Sequence, residues 1–86
     1  MNTLQRFRIE TFQVFTNYRF VSNANAVTFI NNGTVTFNVL NFPIAPGQSL
    51  SIEANRDEID ATEYYINFGT TLNGSCQIIR KIYINE

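Results

Sequence analysis

Five carboxylates fall close together in this chain: Glu53, Asp57, Glu58, Asp60 and Glu63. Calcium is the ion such a group would suit, since it takes several carboxylate and carbonyl oxygens. The spacing lacks the glycine and the terminal glutamate of an EF-hand loop, so a solvated loop is the first reading and a calcium site the second. Paired carboxylates also hydrolyse glycosides, which makes Asp57 and Glu63 a pair to weigh. That chemistry needs a cleft with carboxyl pKa values pushed apart, and one short loop does not build one. Cys76 is the single cysteine, and no histidine stands anywhere to activate it. A thiol without a basic partner is a poor nucleophile and more often a small buried hydrophobe. The absence of histidine also removes the usual general base and metal ligand. The expectation is therefore no catalytic residue, no metal and no cofactor.

Three further sets of residues carry recognition chemistry. Asn32-Gly33-Thr34 and Asn73-Gly74-Ser75 both match the N-glycosylation pattern, but turn formation already accounts for Asn-Gly at both places. Tyr18, Tyr64 and Tyr65, with eight phenylalanines, offer rings that stack on sugars or unpaired bases, or that fill a core. Arg6, Arg8, Arg19, Arg80 and Lys81 are too few and scattered for a nucleic-acid groove, which interleaves cations with aromatics. A net charge of −1 supplies no long-range attraction for a polyanion either.

The elements that would hold these residues are strands. Val27 and Phe29 alternate with Thr28; Val35, Phe37 and Val39 alternate with Thr34, Thr36 and Asn38. A period of two marks half-buried strands. Asn31-Asn32-Gly33 lies between Val27–Ile30 and Thr34–Leu40, and Asn-Gly between alternating runs predicts a hairpin with positive φ at the turn. Beyond Val39 the apolar phase slips to Leu40, Phe42 and Ile44, which calls for a bulge or a change of sheet. Pro43 fits an edge strand, and Ala45-Pro46-Gly47-Gln48 predicts a type II turn before Leu50 and Ile52.

Upstream, Leu4 to Phe20 reads as one bent strand or two. Phe7 and Ile9 share one face and Phe12 and Val14 the other; Tyr18, Phe20 and Val21 continue after a turn at Asn17. Ser22 to Asn25 is a loop by composition. The acidic stretch has room for one helical turn capped by Asn55. Tyr64, Ile66 and Phe68 form a strand that Gly69 ends, and Asn73-Gly74 turns the chain into a last strand, Cys76–Ile84. Apolar residues on both faces of that strand place it centrally or under another subunit. Six to eight short antiparallel strands with closely spaced turns predict a single all-β sandwich domain over residues 1–86.

The Asn31–Thr34 turn and the Pro46–Ser49 turn, with the strand between them, resemble those of small immunoglobulin-like β-sandwich modules found in bacterial surface proteins and in tailed-phage structural proteins. The Cys…Trp…Cys hallmark of antibody domains is missing, as there is no tryptophan. The resemblance implies a non-enzymatic virion component, such as a head-decoration (auxiliary capsid) protein or a fibre or tail protein. It would bind copies of itself, the major capsid protein or other virion proteins, and would assemble in the host cytoplasm. The first residues lack the basic and apolar regions of a signal peptide, and no apolar run approaches a membrane span. Neither nucleic acid nor membrane is expected as a partner. The terminal strands, residues 1–22 and Cys76–Ile84, carry more apolar residues than one buried face can use, so they are the expected contact. The rival reading is a carbohydrate- or receptor-binding module that uses exposed Tyr and Asn side chains.

Overall fold

A computed structural model describes residues 6–55 and 57–84. The expected strand start at Leu4, and Arg56 within the acidic stretch, lie outside the described residues. Eight strands follow one another: β1 Arg6–Val14, β2 Tyr18–Val21, β3 Ala26–Asn31, β4 Phe37–Val39, β5 Phe42–Ile44, β6 Ser49–Glu53, β7 Glu63–Asn67 and β8 Cys76–Ile84. They make two antiparallel four-stranded sheets, in the orders β1-β8-β3-β6 and β2-β7-β4-β5. The expected all-β sandwich forms. Its strand order is that of a jelly roll, two interleaved Greek keys. The immunoglobulin order, ABED over CFG, connects its strands differently.

This connectivity corrects the hairpin expected at Asn32-Gly33. β3 pairs with β6 and β8, whereas β4 belongs to the opposite sheet and pairs with β5 and β7. The Asn-Gly segment is therefore an arch from sheet to sheet. Its glycine is not at positive φ. Gly33 is instead pressed against the next arch: a Cβ there would lie 2.9 Å from the Ser75 backbone nitrogen. Among the described residues, the one tight hairpin joins β4 to β5, where Val39 faces Phe42 across Leu40-Asn41. Leu40 takes positive φ (56°) there, a place that usually goes to glycine. The slip in apolar phase after Val39 is this turn.

Other expectations hold. The Ala45–Gln48 turn closes through the Gln48 N–H on the Ala45 carbonyl at 2.9 Å, with Gly47 at φ 82°. β8 is central, flanked by β1 and β3. In place of a helical turn, Asn55 to Glu58 makes a lone turn, Glu58 N–H on the Asn55 carbonyl. The Glu58 carboxylate accepts the Asn55 N–H in return, so the residue read as a helix cap is held by a glutamate instead.

The core lies between the sheets. Val14, Val27, Phe29, Phe37, Val39, Ile44, Tyr64, Ile66, Phe68, Cys76 and Ile78 are all buried in one cluster. Phe20, Phe29 and Tyr64 meet ring to ring at 5.1–5.9 Å between centroids. Each large side chain fully buried this way contributes roughly 1.5–3 kcal/mol, which offsets the thin margin of a short chain without cross-links. Val35, expected beside Phe37 and Val39, is only partly buried.

Two buried asparagines pin the ends of β3. Asn31 Nδ2 donates to the Val35 and Ile44 carbonyls at 2.8 Å each, while its Oδ1 accepts the Gly33 N–H at 3.0 Å. At the other end Asn25 Nδ2 donates to the Glu58 carbonyl, and Asn25 Oδ1 accepts the Tyr83 N–H at 2.8 Å. Amide side chains suit this task because each end can close a different strand's unpaired backbone group.

Candidate functional site

The acidic stretch does not converge. Among the described residues, no three groups of metal-binding type come together. Asp60 accepts from the Thr62 N–H at 2.9 Å and from the Tyr64 hydroxyl. Glu63 reaches Arg19 at 3.5 Å, on the exposed face of the β2-β7-β4-β5 sheet. Burial alone would raise the Asp60 carboxyl, but hydrogen bonds from Thr62 and Tyr64 outweigh it and hold the group below its ordinary range. Burial, reinforced by the adjacent Asp60 charge, pushes the Tyr64 hydroxyl up to about 12. Glu58 and Asp60 thus close turns and Glu63 pairs with Arg19, rather than facing a common point.

Cys76 is buried between the sheets, and burial pushes its thiol up to about 12. At neutral pH it has no thiolate to attack with. The tyrosines separate too. Tyr64 is in the core; Tyr65 is half-buried under the Arg19 guanidinium, 4.6 Å from its ring centroid; Tyr18 leans on Phe20. No coplanar pair of exposed tyrosines forms among them.

The basic residues have structural work. Arg80 is mostly covered: it binds Glu10 at 2.7 Å and donates to the Ser22 and Asn23 carbonyls, tying β8 to the loop after β2. Lys81 lies over both the Phe7 and Tyr83 rings, at 4.6 and 5.0 Å. The two Asn-Gly arches bind each other, with Gln13 donating to Asn32 Oδ1 at 2.9 Å and Ser75 donating to the same oxygen at 2.7 Å.

The terminal strands reach beyond the rest of their sheet. β1 and β8 pair without interruption from Arg6 with Ile84 to Val14 with Cys76. β3 accompanies β8 only as far as Ala26 opposite Lys81. The pairs Arg8–Ile82, Phe7–Tyr83 and Arg6–Ile84 therefore continue as a two-stranded ribbon past the end of β3. Phe7 stands on the outer face of this ribbon, 51% exposed and edge-on to Tyr83 at 6.0 Å, and Ile9, 50% exposed on the same face, stands at its root opposite Lys81. Phe12 and Val14, on the opposite parity, turn into the sandwich. At the far end of β1, Phe15, Asn17, Thr70, Thr71 and Leu72 line an open depression of about 440 Å³. Asn17 is already engaged there, accepting the Phe68 N–H at 2.7 Å.

No family model, curated protein or solved structure matches the chain. The resemblance to phage structural modules thus rests on the two turns alone.

Proposed function

We propose that this chain is a non-enzymatic interaction module, which docks through its β1–β8 ribbon on copies of itself or on a larger assembly. The observation that carries this reading is the ribbon, an extension past β3 that bears half-exposed Phe7, with Ile9 equally exposed at its root. A two-stranded ribbon is marginal by itself in water, and its apolar outer face is what a neighbour would cover. The buried, protonated Cys76, the dispersed carboxylates and the lack of histidine support the non-enzymatic part. A virion is the setting that the turn resemblance implies. Jelly rolls recur in capsid and lectin domains, and that parallel is one of fold alone.

Removing residues 1–15 is a poor test, because it would also take Phe12 and Val14 from the core. A photoreactive benzoylphenylalanine in place of Phe7, in the native source, asks the question directly. A cross-link to a second copy or to a partner of the assembly is the expected result. The reading fails if positions 7 and 9 cross-link to no protein and the purified chain also stays monomeric at all concentrations.

A further inference from the structure

We propose that β1 is the seam of a two-fold dimer, in which β1 pairs antiparallel with β1 of a second copy about an axis through Ile9. The proposal rests on the docking reading above and names its partner and register.

β1 ends its sheet, with β8 on one side and no described strand on the other. An edge with unpaired N–H and C=O groups is a template for another strand, and proteins blunt such edges with charge, proline, bulges or brevity; β1 carries the first of these, Arg6, Arg8 and Glu10, which limits the strands it accepts. The other three edges are all shorter, and one carries a proline. β5 has three residues with Pro43 in the middle, β2 has four residues, and β6 has five. β1 has nine, no proline, and an unbroken one-to-one register with β8 that leaves no bulge. It is the longest and most regular open edge.

The charges on β1 select a second copy as occupant, and they select the register. Symmetric antiparallel pairing of a strand with itself places one residue opposite its own copy, and all others follow. An axis through Phe7 sets Arg6 against Arg8; one through Arg8 sets Arg6 against Glu10 but also Arg8 against itself; and one through Glu10 sets Glu10 against itself. An axis through Thr11 or Phe12 sets Glu10 against Phe12 or Val14. The axis through Ile9 alone opposes opposite charges, Arg8 against Glu10 twice, without also opposing like ones. Directly opposed opposite charges favour a sheet pair, and like charges oppose it. In this register Ile9 meets Ile9 and Phe7 meets Thr11 as cross-strand neighbours on the outer face, which removes part of the strand's exposed apolar surface.

Glu10 is already fixed for this role by Arg80, at 2.7 Å. Arg8 has a weaker hold, an exposed 3.1 Å bond to Glu10 of its own chain, so it can turn to the partner with little loss. A net charge of −1 leaves almost no general repulsion between copies.

Cysteine pairs test the register on the full chain. Opposed residues in an antiparallel pair lie about 4.5–5.5 Å apart at Cα, within disulfide reach. Oxidised Ile9→Cys should therefore form a covalent dimer. Phe7→Cys and Thr11→Cys should each stay single, since four residues of strand separate each from its own copy by about 13 Å. An equal mixture of those two variants should form the mixed dimer. Native Cys76 is buried and does not compete. Sedimentation velocity should show wild-type dimers, weakened at least tenfold by Arg8→Glu while the melting temperature stays near wild type. Self-association without an Ile9→Cys cross-link overturns the seam and leaves the docking reading intact. A chain that stays monomeric, with no cross-link from any of the three positions, overturns the dimer. The docking reading then stands or falls on what position 7 captures in the native source.

Discussion

Replacing Asn31 by alanine tests how the two sheets are joined. The Asn31 side chain satisfies three backbone groups from three places: the Val35 carbonyl, the Ile44 carbonyl and the Gly33 N–H. Alanine leaves them all unpaired. The Ile44 carbonyl is in the buried part of this contact, so it loses the full value of an unsatisfied acceptor, about 2 kcal/mol. Water can reach the other two more readily, and they lose about 0.5–1 kcal/mol each. The total, about 3–4 kcal/mol, is a large share of the roughly 4–13 kcal/mol that a chain of this length possesses. Asn31→Asp should cost more than alanine, because it keeps the volume but turns a carboxylate towards two carbonyls. Urea titration followed by far-UV circular dichroism and tyrosine fluorescence gives both values. A loss below about 1 kcal/mol for Asn31→Ala, or an aspartate tolerated as well as alanine, would refute this account of the arch.

Gly33→Ala should cost about 1–3 kcal/mol in the same titration, because its Cβ meets the Ser75 backbone 2.9 Å away. Leu40→Val should cost about 1 kcal/mol or more, and Leu40→Asn should be neutral or stabilising, since Leu40 takes φ 56°. Stability should be full below pH 9 and fall as pH rises towards 12. The folded state keeps the Cys76 thiol and the Tyr64 hydroxyl protonated past their ordinary values of 9.0 and 10.0, so the unfolded chain releases those protons first. Alkaline titration by circular dichroism reads this limb, and Tyr64→Phe should move its midpoint upward. Asp60 acts in the opposite sense: its lowered pKa supports the fold above the usual carboxylate range, and that support is lost in acid. In native buffer, Ellman's reagent should label Cys76 only at the rate of unfolding.

Much of the fold was legible because the strands alternate cleanly. Val27 and Phe29, Tyr64 and Ile66, and Cys76 and Ile78 show their buried faces in the sequence alone. The Pro46-Gly47 turn was legible too, because proline and glycine fix its geometry locally. The pairing of strands was not. Asn-Gly between two alternating runs signals a hairpin when the runs share a sheet, and nothing in residues 27–40 says that they do not. The decision belongs to distant contacts: Asn31 bonded to Ile44, and Gly33 packed on Ser75. The same holds for charge. Arg80 looks in sequence like a surface cation, and only the return of β8 beside the loop after β2 turns it into a clamp. By contrast, the surplus of apolar residues on β1 was visible beforehand, and Phe7 and Ile9 are exposed where Phe12 and Val14 are not.

The strand order also governs how the chain reaches this structure. Only β4 and β5 are neighbours both in sequence and in a sheet, so almost no pairing can form locally and be kept. Folding dominated by distant pairings is slow, in the range of milliseconds to seconds for small β domains. The delay is greatest for the sheet that contains β1. Its centre holds β8, which follows all seven other described strands in the chain, so β1 must wait through the intervening residues with both of its edges open.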